Sequence, residues 1–108
     1  MATLPTCWLC ETEILPSEMS WDHRVPRAHG GGHDPDNLSP AHRECNRARG
    51  AMPLDLTLIA LGSILRDPRE LDIRWRDRVV AVLWRAHKEW LKPRPFGRHF
   101  PPTEPRLT

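Results

Sequence analysis

Tyrosine is absent from this chain, aromatic residues make up only 6% of it, and the hydrophobic fraction is a low 39%. So few large apolar side chains predict a small core. With 108 residues the chain is one domain, close to the size at which a metal staple adds usefully to stability. Cysteine is scarce as well: three, an odd number, and the N-terminus opens Met1, Ala2, Thr3, Leu4, Pro5 with neither a basic leader nor an apolar run. A disulfide framework is therefore a poor reading and an intracellular metal site a better one. No apolar stretch approaches the roughly 20 residues that span a bilayer, which predicts a soluble, cytoplasmic protein with no membrane partner. A strong net charge is missing too: +2 overall excludes a global basic field as the sign of a nucleic-acid binder. The distribution says more. Residues 1–50 hold five Lys or Arg against seven Asp or Glu, and residues 66–108 hold eleven against six, so the positive excess lies in the C-terminal half.

What the chain does have is twelve prolines and a dense block from Cys7 to Gly50. Cys7 and Cys10 form a Cys-x-x-Cys turn, and His42 and Cys45 repeat the spacing downstream. Two such pairs separated by a loop are the usual way to give one zinc ion three sulfurs and an imidazole. A thioredoxin-like redox pair would need a surrounding βαβ pattern, which is absent. Unrelated core cysteines are the other alternative, and His29 or His33 could replace His42, although neither has the x-x spacing to a cysteine.

Pro16 and Ser17 mark a turn. Trp21 to Val25 alternates apolar and polar as a short strand, ended by Pro26, with Asp22 and His23 on opposite faces. Gly30 to Asn37 is a loop rich in glycine and turn formers. Ser39 as N-cap and Pro40 at the first helical position open a helix carrying His42, Cys45, Asn46 and Arg49 and stopping near Gly50. Leu54 to Leu65 reads as a buried helix, and Asp67 with Pro68 as the start of the next. Leu71, Trp75, Val79, Val82, Leu83, Ala86 and Trp90 recur at three- and four-residue steps, the stripe of an amphipathic helix of about six turns, whose tryptophans are read as core. From Lys92 onward five prolines in seventeen residues make an extended tail. The organisation predicted is an α+β chain: a zinc-stapled core at 1–53, a helical extension at 54–91 and a Pro-rich tail at 92–108.

Cys7-x-x-Cys10, Asp22-His23-x-x-Pro26, the glycines, Asn37-Leu38, His42-x-x-Cys45-Asn46 and Arg49-Gly50 together resemble the HNH, or ββα-metal (His-Me finger), nucleases. The likeness is closest to the small phage and bacterial proteins with a zinc knuckle. It implies a β-hairpin and a helix wrapped on a divalent metal, hydrolysing the phosphodiester bonds of DNA with low sequence specificity. It further implies a role in phage genome processing or packaging, with a terminase or other packaging protein as partner. Two positions depart from the commoner pattern: His42 stands where a cysteine is usual among the zinc ligands, and Asn46 where histidine is frequent, which matches the H-N-N variant. By the resemblance, His23 is the general base, Asn37 holds the loop and orients His23, and Asp22 and Asn46 hold catalytic Mg²⁺ or Mn²⁺. Cys7, Cys10, His42 and Cys45 hold structural zinc, and Arg47 and Arg49 contact DNA phosphates. A noncatalytic zinc-knuckle module that binds nucleic acid or an assembly partner is the competing reading.

Overall fold

The computed structural model of the protein describes residues 3–65 and 73–93. The expected start at Asp67 and Pro68, the stripe position Leu71 and the tail beyond Pro93 lie outside them. The elements are strand β1 (Met19–His23), strand β2 (Leu38–His42), helix α1 (Arg43–Arg49), helix α2 (Leu54–Gly62) and helix α3 (Ile73–Leu91). Single 3-10 turns at Pro16–Glu18, Arg27–His29 and Pro35–Asn37 punctuate the first half. Over the described residues the class is α+β, a two-stranded antiparallel sheet with three helices, as the sequence predicts.

The sheet pairs Met19 with His42, Trp21 with Pro40 and His23 with Leu38. This revises the reading of Ser39 and Pro40 as a helix start: both lie in β2, and α1 begins at Arg43 with His42 as its N-cap. Proline is tolerated there because a two-stranded sheet has only edge strands, so its missing N–H takes no ladder bond away. Pro40 also gains a partner, since its carbonyl accepts the N–H of Trp8 at 3.0 Å, fastening the Cys7–Cys10 turn to β2. The first strand starts at Met19 rather than Trp21 and ends at His23.

One buried cluster holds the whole together. Cys7, Cys10, Ala41, Cys45 and Ala48 from the N-terminal half pack with Trp75, Val79 and Leu83 of α3. Those three residues, four apart, form a single helical stripe, and Trp84 and Trp90 lie half-buried beside them. Trp75 also donates its indole N–H to the Cys10 carbonyl at 2.8 Å, so α3 clamps the Cys7–Cys10 turn directly. The expected buried helix at 54–65 is corrected: α2 stops at Gly62 and buries only Thr57 and Ala60, leaving Leu58 and Ile59 exposed. Among the described residues no helix is long and apolar enough to cross a membrane.

α1 ends on Gly50, whose φ of 60° suits glycine. A Cβ there would meet the His87 ring at 2.2 Å. His87 Nδ1 donates to the Ala48 carbonyl at 3.1 Å, and His29 Nε2 donates to the Ala51 carbonyl at 3.0 Å. These two histidines bond main-chain carbonyls at and just beyond the end of α1.

Candidate active site and metal centre

The four predicted zinc ligands come together. Cys7, Cys10, His42 and Cys45 are all buried, and their ligand atoms lie within 4.8 Å of one another. His42 Nδ1 stands 3.4 Å from Cys10 Sγ and 3.9 Å from Cys45 Sγ. A tetrahedral zinc with ordinary Zn–S and Zn–N bonds needs donor separations of about 3.5 to 3.8 Å, so the cage has the right size. The chain supplies the orientation too. His42 Nε2 donates to the Glu13 carbonyl at 3.0 Å, which leaves Nδ1 free to ligate.

The thiols themselves call for a cation. Hydrogen bonds from Cys10 and Cys45 pull the Cys7 thiol far below its usual range, while contact with Cys10 and Cys7, together with burial, pushes Cys45 far above. Three buried sulfurs this close cannot all ionise against one another, and a divalent ion is what allows them to. The donor set fits Zn²⁺.

Asp22 and His23 sit at the end of β1 and part company as strand alternation requires. Asp22 is buried and His23 half-exposed. Burial pushes the Asp22 carboxyl above its usual range, and the Arg49 guanidinium and the Trp8 indole N–H pull it back. Both of those donors reach the same oxygen, Oδ2, each at 3.0 Å.

Arg49 is where the structure departs from the sequence reading. It is 0% exposed and points inward, so it has no surface to offer a DNA phosphate. Its Nη1 donates to Asp22 Oδ2 and to the His23 carbonyl, Nη2 to the Arg24 carbonyl, and Nε to the Met52 carbonyl and Thr57 Oγ1. One planar fork thus ties β1, the chain beyond it, the α1–α2 connection and α2 into one piece. It also lies over the Trp8 ring at 5.4 Å. Arg47, by contrast, is exposed on α1, one turn from exposed Arg43, whose guanidinium reaches the Met19 and Ser17 carbonyls. Trp21, 61% exposed on β1, shares the outward face with His23.

Asn37 does what a loop clamp does. Its Oδ1 accepts the Val25 N–H at 2.9 Å, and its Nδ2 donates to the Val25 and Gly32 carbonyls at 3.0 and 2.9 Å. Asn46 is half-buried, and its Nδ2 donates to Ser20 Oγ at 3.2 Å. The amide oxygen of Asn46 takes no part in that bond.

One residue set aside at the sequence level is placed inside the site. His33 Nδ1 lies 3.0 Å from His23 Nε2. Sequence spacing gave no hint, because the contact closes a ten-residue excursion whose path depends on the Asn37 clamp.

Residues 7–51 match the family model described as HNH endonuclease. Comparison with curated proteins and with solved structures yields no match.

Proposed function

We propose that the protein, whose residues 7–51 match the HNH endonuclease family model, is a metal-dependent endonuclease that hydrolyses phosphodiester bonds of DNA with little sequence preference. The observation that carries this reading is the half-exposed His23 at the end of β1, next in sequence to buried Asp22 and followed by the loop that Asn37 clamps at Val25.

His23 is the group that accepts a proton from water, the role in hydrolysis for which an imidazole side chain is most often used. Asp22 and Asn46 would hold the catalytic ion through hard oxygens, one charged and one neutral, a set suited to Mg²⁺ or Mn²⁺ that keeps several waters. Bound there, the ion supplies charge stabilisation to the leaving oxygen. Arg49 contributes from inside by holding Asp22 and the His23 main chain in place, and exposed Arg47 is available to meet the phosphate backbone.

The test is nicking of supercoiled plasmid by the zinc-loaded protein with Mg²⁺ or Mn²⁺, against the same protein with a chelator too weak to strip the knuckle. His23→Ala is expected to keep the fold and lower the nicking rate by about 10²- to 10⁴-fold. Wild-type protein that binds DNA without cutting it under any divalent metal would instead be the noncatalytic zinc module.

Asn46 sets the metal preference in this reading. Asn46→His replaces an oxygen by a borderline nitrogen and is expected to move the optimum from Mg²⁺ towards Mn²⁺, Co²⁺ or Ni²⁺ with some activity retained. Metal titrations of nicking check it. An Asn46→Ala protein with the wild-type metal requirement and rate would remove Asn46 from the ligand set.

A further inference from the structure

We infer that His33 is a positioning residue for His23: its Nδ1 accepts the Nε2–H of His23, so that the free lone pair of His23 sits on Nδ1, where a water can be deprotonated. The inference rests on the nuclease reading above for its kinetic consequence, but the contact itself is independent of it.

The two rings meet edge-on, with centroids 4.7 Å apart and planes at 69°, and the nitrogens are 3.0 Å apart. That is a hydrogen bond rather than a stack. A single proton lies between the nitrogens, and its two placements differ chemically. With the proton on His33 Nδ1, His23 must carry its own on Nδ1, and its one basic lone pair, on Nε2, is taken up in accepting from His33. With the proton on His23 Nε2, Nδ1 is a base. Uptake of the water proton at Nδ1 then makes His23 an imidazolium whose Nε2–H bond to His33 is charge-assisted and stronger. The ring gains the proton the water loses, the resulting hydroxide forms a new P–O bond, and the P–O bond to the leaving sugar oxygen breaks, that oxygen departing with the bonding pair and taking a proton from solvent water. A carboxylate or carbonyl that fixes an imidazole's tautomer plays the same part elsewhere.

The loop is built to deliver His33 to that place. Gly31 lies so close to the chain beyond β1 that a Cβ there would stand 1.7 Å from the Val25 carbonyl oxygen, and its N–H donates to the Pro26 carbonyl at 3.0 Å. The Asn37 side chain grips the Gly32 carbonyl, one residue before His33, while the Asn37 carbonyl accepts the N–H of Arg24 at 2.9 Å, one residue after His23. One asparagine therefore fixes both ends of the imidazole pair.

Two measurements on the full zinc-loaded chain decide it. Long-range ¹H–¹⁵N spectra of the imidazoles are expected to show His23 protonated at Nε2, with a tautomer mixture in His33→Ala. Nicking by His33→Ala is expected to lose about 10- to 100-fold in kcat with KM little changed, the scale on which partners that orient an imidazole act. His33→Asn, whose Oδ1 can stand in for Nδ1 as acceptor, should restore most of the rate. An Nδ1-protonated His23 in the wild type, a wild-type rate in His33→Ala, equal losses in the Ala and Asn variants, or a loss confined to KM would each overturn it. If no variant, wild type included, cuts DNA, the nuclease reading fails, and the tautomer spectra alone uphold or overturn the contact.

Discussion

Replacing Cys45 with serine is expected to unfold residues 7–51 and to release one equivalent of zinc. Cys45 is 0% exposed, as are Cys7 and Cys10, and the three sulfurs with His42 form the centre of the buried cluster rather than an appendage to it. β1, β2 and α1 bury few large apolar side chains, and α3 packs on them through Trp75 on the Cys10 carbonyl, through the cluster around Cys45, and through His87 at the Ala48 carbonyl. Closed zinc sites in small domains contribute about 10–16 kcal/mol at neutral pH, whereas a whole domain has only about 5–15 kcal/mol to lose. The ligand set therefore decides whether the fold exists. Far-ultraviolet circular dichroism, thermal melting and zinc stoichiometry read the outcome, and strong chelation of the wild type should reproduce it. A Cys45→Ser protein that melts as wild type with its zinc retained would show that these four side chains are not a structural site.

The parts of this fold that were legible from sequence are those where chemistry forces a spacing. Two x-x pairs must converge on one ion whatever lies between them, and Cys7, Cys10, His42 and Cys45 do converge. Glycine at 50 ends α1, and the three- and four-residue steps of Trp75, Val79 and Leu83 become the buried stripe of α3. Errors fell where local propensity and tertiary context disagreed. Ser39-Pro40 carries strong helix-start chemistry, yet β1 pairing on one side and the Trp8 N–H on the other hold it extended. Leu54 to Leu65 is apolar on every face, so its composition could not say which face was covered, and most of α2 is exposed. The inward turn of Arg49 has a signal in the sequence. It lies four residues after Cys45 and one after buried Ala48, hence on the helix face that the zinc ligand had already committed to the interior. The His23–His33 contact had none, since it depends on the three-dimensional course of a loop.

Arg49→Lys separates the interior role of that arginine from the phosphate-binding role its residue type suggests. A lysine keeps the charge, so a side chain needed only to meet DNA phosphates would lose little. In this structure Arg49 spends three different nitrogens on Asp22, Thr57 and the carbonyls of His23, Arg24 and Met52. A single ammonium cannot reach them all, because they lie around the plane of a fork rather than around a point. Buried acceptors left without a donor cost about 1–3 kcal/mol each, and Arg49→Met, which also strips Asp22 of its counter-charge, should cost at least the about 3–5 kcal/mol typical of a broken buried pair. Both variants are therefore expected to melt well below the wild type, Met lower than Lys. Pairing Arg49→Met with Asp22→Asn should return part of the loss, since the unpaired carboxylate is then gone. Cleavage should fall with the folded fraction and, in whatever remains folded, through displacement of Asp22 and the His23 main chain, while DNA affinity at temperatures where the domain is intact stays near that of wild type. An Arg49→Lys protein that melts with the wild type, or an Arg49→Met protein whose defect is weak DNA binding at unchanged stability, would put the guanidinium on the surface after all.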